Sequence, residues 1–215
     1  MREAPEKARQ LSLKFSKATL QPVYNRRRMR RIVIGISGAS GSLYGYRALE
    51  ALARAGVESH LVMSDQARRT IELETGMSAR DFEALASVVH RDGDLAASIA
   101  SGSFITDGML VMPCSIKSAS AIAHSFNQNL LVRAADVCLK ERRTLVLAVR
   151  ETPLHLGHLR TLTQLAEMGA VILPPMVALY ARPRSVDDVV AHTVGKALDL
   201  FGIEHALFTR WETPR

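Results

Sequence analysis

Aromatic residues make up only 5% of this 215-residue chain, and Trp211 is its single tryptophan. A core with so few rings must be aliphatic and alanine-rich, and a hydrophobic content of 47% supplies it. Cysteine is scarcer: Cys114 and Cys138 are the only two. Their placement gives neither a disulfide framework nor metal-ligand spacing, which suits a reducing compartment and predicts a cytoplasmic protein. No apolar run reaches the roughly 18 residues that a membrane helix needs, so no membrane partner is expected. Walker loops and G-x-S-x-G elbows are missing too. Asp187-Asp188 begins like a magnesium-holding aspartate pair, but the position three beyond is Ala191, so no DDxxD pattern forms. His155 and His158 stand three apart with no third ligand and read as structural rather than metal-binding.

Charge looks more informative than it is. The formal net charge is +7, which invites a nucleic-acid partner. Residues 1–28 alone hold eight Lys/Arg against two Glu, leaving 20 basic and 19 acidic residues in the remainder. The body is therefore nearly neutral, and no nucleic acid is expected as its partner. Residues 1–28 show no sustained apolar period and read as an N-terminal extension or leader. Glu3 and Glu6 argue against a transit peptide. Met29 is the expected functional start, with one domain over residues 29–215.

What is present is organised around the stretch from Arg31 to Gly45. An apolar run leads into small residues and glycines, then into a helical pattern. That order predicts a buried parallel strand, a tight turn and a helix. The free N–H groups and positive dipole end of such a helix favour a phosphate, with Ser37, Ser40 and Ser42 as further hydroxyl donors. Glycines at 35, 38 and 41 do not make the G-x-G-x-x-G dinucleotide fingerprint. A tight turn without a ligand is the competing reading.

Further along, strands are predicted at 58–63, 108–112, 144–149 and 170–173, and helices at 66–74, 116–123, 130–141, 158–168 and 186–201. Ser78 with Asp81 starts a further short helix as a capping box. Residues 87–107 read as an irregular connection. Alternating strands and helices predict an α/β fold: a single-domain, doubly wound, Rossmann-like parallel sheet with helices on both faces. Such sheets bind ligands at the carboxyl ends of their strands. Those ends are Ser37–Gly41, Ser64, Pro113–Ser118, Arg150–Glu151 and Pro174 onward, and they are expected to converge on one site.

Ser40, Ser64, Ser115 and Ser118 offer hydroxyls and Arg150 a planar fork, a set that suits a mononucleotide. Helix capping is the competing role for each serine. Glu151 directly follows a buried strand and can serve as general acid/base or as an ion-pair partner. Arg133 and Lys140 lie two turns apart on one helix face and either bind a phosphate or form a solvated basic face. Tyr180 is a ligand clamp or a packing residue, Lys196 is a surface lysine by position alone, and Trp211 fits a core or interface.

Four runs carry a family resemblance: Gly35-Ile36-Ser37-Gly38-Ala39-Ser40-Gly41, Pro113-Cys114-Ser115-Ile116-Lys117-Ser118, Arg133 through Arg143 with Leu-Lys-Glu-Arg-Arg at its end, and Arg150-Glu151-Thr152-Pro153-Leu154-His155. Together they resemble the flavin prenyltransferase (UbiX-like) family over about residues 29–211. The resemblance implies transfer of a dimethylallyl group from dimethylallyl phosphate to N5 and then C6 of reduced FMN, without a metal. Prenylated FMN, the product, would serve a UbiD-type decarboxylase, in ubiquinone biosynthesis or aromatic-acid decarboxylation. A homododecamer with sites between subunits is implied as well.

Carried residue by residue, the resemblance assigns Gly38, Ala39, Ser40, Ser64, Ser115, Ile116, Lys117, Ser118 and Arg150 to the flavin. Tyr180 and Lys196 are assigned to the prenyl phosphate, with Arg133 and Lys140 as further cations. Lys196 is arginine in some relatives and so keeps the charge without the fork. Ser40 and Glu151 are assigned to proton movement and Trp211 to a wall of the prenyl pocket. A flavin-dependent cysteine decarboxylase of the same architecture, a flavin-storing module and a nicotinamide dehydrogenase with Asp65 on a ribose are the alternatives.

Overall fold

The computed structural model describes residues 30–211. The expected extension over residues 1–28, and the expected start at Met29, lie outside the described residues. Six strands form one sheet: β1 (Arg31–Ile36), β2 (Glu58–Met63), β3 (Val88–Arg91), β4 (Gly108–Cys114), β5 (Thr144–Val149) and β6 (Val171–Ile172). All pairings are parallel and the spatial order is 3-2-1-4-5-6. This is the doubly wound arrangement, and the order reverses between β1 and β4.

Seven α-helices cover the two faces: α1 (Ser42–Arg54), α2 (Asp65–Thr75), α3 (Ala79–Glu83), α4 (Ile116–Ala123), α5 (Leu130–Lys140), α6 (Leu156–Glu167) and α7 (Val186–Leu200). Side chains alternate across each strand. Ile32, Ile34, Ile36, Leu61, Leu110 and Met112 therefore pack with α1, α2 and α7, while Val33, Val62, Met109, Val111, Leu145 and Leu147 pack with α4, α5 and α6. Burial on both faces is why these strands read as unbroken apolar runs rather than alternating ones. Close packing against β4 explains Gly45: a Cβ there would stand 2.6 Å from the Met112 carbonyl oxygen.

The irregular connection expected over residues 87–107 contains a strand, β3. It has four residues, pairs only with β2 and is largely exposed, so it carries too little apolar pattern to be seen. Helix α6 starts at Leu156 rather than 158, because His155 caps it by accepting from the Gly157 N–H at 3.0 Å. Among the described residues no helix is long and apolar enough to cross a membrane.

Candidate active site

The switch point of the sheet is closed by one buried hydroxyl. Ser37 Oγ donates to the Pro113 carbonyl at 2.9 Å and accepts from the Ser115 N–H at 2.7 Å. Only 1% of Ser37 is exposed. Its hydroxyl, expected to face a phosphate, instead joins the β1 loop to the β4 loop. That link sets Gly38 beside the start of α4.

Four helices begin near this point, and their starts differ. At α1 the Glu74 carboxylate accepts from the N–H groups of Gly41 (3.0 Å) and Ser42 (2.9 Å) and from the Ser42 hydroxyl (2.8 Å). Gly41 makes this bend in the left-handed region, at φ 103°. The expected phosphate site at this helix start, and the Ser42 hydroxyl counted toward it, are thus taken by a carboxylate of the chain itself. Partial burial raises the pKa of Glu74. The hydrogen bonds from Ser40, Ser42 and Gly41 together outweigh that and hold it below the usual carboxylate range. At α5, the Asp92 carboxylate accepts from the Leu131 N–H (3.0 Å) and the Asn129 amide (2.9 Å). Burial pushes the Asp92 pKa up despite these bonds.

At α4 the Ser115 side chain accepts from the Ser118 N–H at 3.2 Å, but no acceptor among the described residues reaches the N–H groups of Ile116 or Lys117. This start opens on a cavity of about 520 Å³ lined by Gly38, Ser64, Asp92, Ser115, Lys117 and Ser118 among others. Five of the nine residues assigned to the flavin line it. Ser64 also caps α2 by accepting from the Ala67 N–H at 3.2 Å, so the capping role holds without removing the serine from the cavity. Backbone donors at a helix start, hydroxyls and one lysine are the donor set that a flavin mononucleotide phosphate requires, and the cavity fits that group.

The end of β5 meets the β1 loop. Arg150 Nε donates to the Ser40 carbonyl at 3.4 Å, and the neighbouring Gly41 N–H ties the same loop to Glu74. Glu151 accepts from the Thr152 N–H at 3.1 Å and forms no ion pair among the described residues. Ser40, Glu74 and Arg150 therefore form one cluster, with Glu151 next in sequence. The chain gives no advance sign of Glu74, which looks like any acidic residue on an amphipathic helix; only the packing of α2 against α1 brings it here.

The segment after β6 builds a second cavity, of about 580 Å³, lined by Ala178, Arg182, Arg184, Asp188, His192 and Phe208 among others, with Tyr180 and Lys196 outside its lining. It shares no lining residue with the first. Tyr180 Oη lies 3.1 Å from His192 Nε2 of α7, and the Trp211 ring stands edge-on to Tyr180 at 5.5 Å. Lys196 is one helical turn beyond His192. Tyr180, Lys196 and Trp211 are thus brought into one neighbourhood. Sequence reading did not single out His192, since a histidine on a helix face has no motif.

Arg133 and Lys140 are not brought to that neighbourhood within one chain. They lie on α5, across the sheet from α7. Arg133 bonds to the Ala100 carbonyl (3.1 Å) and Asp136 (2.8 Å), and Lys140 pairs with Glu141. Both cysteine thiols are buried, which pushes each up to about 12, so neither is a nucleophile. No group of three or more His, Cys, Asp or Glu among the described residues could hold a metal ion.

Residues 20–198 match the family model described as Flavoprotein. Flavin prenyltransferase UbiX of Thauera aromatica is 61% identical over 181 residues, covering 84% of this chain and 93% of that protein. The solved structure of AnUbiX (PadA1) in complex with FMN and dimethylallyl pyrophosphate superposes with a TM-score of 0.86 at 47% identity, over 87% of this chain and 100% of that one. A dodecameric FMN-dependent UbiX-like decarboxylase from Escherichia coli O157:H7 gives a TM-score of 0.83 at 49% identity, over 85% of this chain and all of that one.

Proposed function

We infer that this chain, which belongs to the UbiX-like flavin prenyltransferases of the flavoprotein family, moves a dimethylallyl group from dimethylallyl phosphate to N5 and C6 of reduced FMN. The prenylated FMN it makes is the cofactor of UbiD-type decarboxylases. The observation that carries this reading is the open start of α4 at the sheet's switch point, with the hydroxyls and lysine of one mononucleotide site around it.

We assign the flavin to Gly38, Ala39, Ser40, Ser64, Ser115, Ile116, Lys117, Ser118 and Arg150. The bound reduced flavin supplies the nucleophile. The chain's own work is to place the allyl carbon, exclude water and stabilise the charge that builds on the phosphate. Tyr180 and Lys196 hold that phosphate, and Trp211 walls the prenyl group. Arg133 and Lys140 lie across the sheet within one protomer, so their contribution requires a neighbouring copy. The dodecameric relative supports such an arrangement. Ser40 and Glu151 move protons, with Glu74 orienting the Ser40 hydroxyl. The domain runs from residue 29 and works in the cytoplasm.

Incubating the protein with reduced FMN and dimethylallyl phosphate under anaerobic conditions, then weighing the flavin, tests the reading. A flavin heavier by one prenyl unit is expected. An unchanged mass rejects the transferase and leaves the cysteine decarboxylase or flavin-storing alternatives.

A further inference from the structure

We propose that His192 is a positioning residue for the Tyr180 phenol and the store of the proton that the departing phosphate takes through it; this rests on the assignment of Tyr180 to the prenyl phosphate. The contact is direct: His192 Nε2 and Tyr180 Oη are 3.1 Å apart. The imidazole is held in place by the Phe208 ring at 4.6 Å and by the edge-on Tyr180 ring at 5.9 Å. It borders the second cavity, together with Ala178 and Ala181 on either side of the Tyr180 turn and with Arg182 and Arg184.

One phenol proton cannot serve two acceptors. If Tyr180 donates to a neutral His192, its proton points away from the phosphate. If His192 Nε2–H donates to the phenol oxygen, the phenol proton is free for the phosphate. Protonating the imidazole enforces the second arrangement. Burial, and then the Lys196 charge one turn away, hold the His192 pKa below its ordinary value, so in the empty site the ring is neutral at pH 7. A phosphate dianion beside the phenol reverses that balance and draws a proton onto the ring.

The remaining charges around His192 do not replace this role. Asp188, one turn earlier on α7, is occupied by the N–H groups of Arg184 and Ser185. Arg182 and Arg184 border the same cavity and add positive charge toward the phosphate. From α1, Arg47 is paired with Asp187 and Glu50, and burial raises the pKa of Tyr44, which adds no charge. On the C-terminal side Arg210 pairs with Asp199, to which His205 also bonds.

The step balances. The C1–O bond of the monoester dianion breaks, its electron pair stays on the phosphate oxygen, and the allyl carbon is taken up by N5 of reduced FMN. Tyr180 gives that oxygen its phenol proton and receives one from the His192 imidazolium. Hydrogen phosphate, neutral tyrosine and neutral histidine result.

The test is an NMR titration of the histidine rings of the full-length protein, with and without inorganic phosphate. His192→Gln assigns the signal, and Tyr180→Phe serves as control. Phosphate is expected to raise the His192 midpoint by about one unit, equivalent to roughly tenfold tighter phosphate on the protonated form. The Tyr180→Phe protein should lose that rise. The rate of prenyl transfer at saturating substrate, kcat, should fall as pH rises through the phosphate-bound midpoint, and His192→Gln should flatten this limb while retaining FMN. A midpoint that phosphate does not move, or moves equally in Tyr180→Phe, overturns the proposal. So does an unchanged pH limb in His192→Gln. A wild type that makes no prenylated flavin instead defeats the transferase reading, and the titration still decides the His192–Tyr180 coupling.

Discussion

The starts of α1 and α4 stand on either side of the switch point and have the same electrostatic need. Each presents backbone N–H groups at the positive end of a helix dipole. At α1 the need is met from within, by the Glu74 carboxylate on Gly41 and Ser42. At α4 it is left to a ligand, since Ile116 and Lys117 have no acceptor among the described residues. A glycine-rich turn before a helix therefore does not by itself locate a phosphate. The helix start proposed to take the phosphate is the one whose first two N–H groups have no acceptor among the described residues, while a carboxylate of the chain occupies the other.

The most severe test asks whether the open start only binds while chemistry occurs at the end of β5. Glu151→Gln should leave FMN bound but slow prenyl transfer by roughly 10²- to 10⁴-fold, the range of a lost proton-transfer group. Single-turnover flavin mass spectrometry measures this, and unimpaired turnover removes Glu151 from the chemistry.

Closing the open start should make α4 resemble α1. Lys117→Glu places a carboxylate where the phosphate would sit. Loss of one charge-assisted hydrogen bond and gain of a repulsive one should weaken FMN by about 100-fold, or about 3 kcal/mol. Fluorescence titration with FMN reads the affinity, and an unchanged melting temperature shows that the fold is intact.

Opening the closed start is the gentler experiment. Glu74→Gln removes the charge at α1 and should cost about 1 kcal/mol, lowering Tm by about 2–4 °C in a chain of this size. Turnover should also fall through the disordered Ser40 hydroxyl, with FMN affinity little changed. A Tm equal to wild type means that Glu74 does not hold the loop.

The smallest effect is in pH. The Glu74 pKa is lower folded than unfolded. Its stabilisation is therefore fully present above about pH 4.5, the ordinary glutamate value, and is lost as pH falls through the folded value. Thermal melts between pH 3 and 6 should show a wild-type decline that is shallower in Glu74→Gln. Parallel curves contradict the linkage.

Sequence alone determined the order of elements, the parallel doubly wound sheet and the family, because buried strands, caps and turns are local patterns that one stretch of chain carries by itself. Ser64 and Ser115 could be read as caps before any coordinates. The short exposed strand at Val88–Arg91 lacked such a pattern and stayed hidden. Tertiary structure decided which helix start remains open, that Ser37 and Ser42 spend their hydroxyls on the protein, and that Glu74 and His192 sit beside Ser40 and Tyr180. It also put Arg133 and Lys140 on the far side of the sheet from Tyr180 and Lys196. Those are matters of which element packs on which face, and a single side chain carries no record of the partner that a distant helix brings to it.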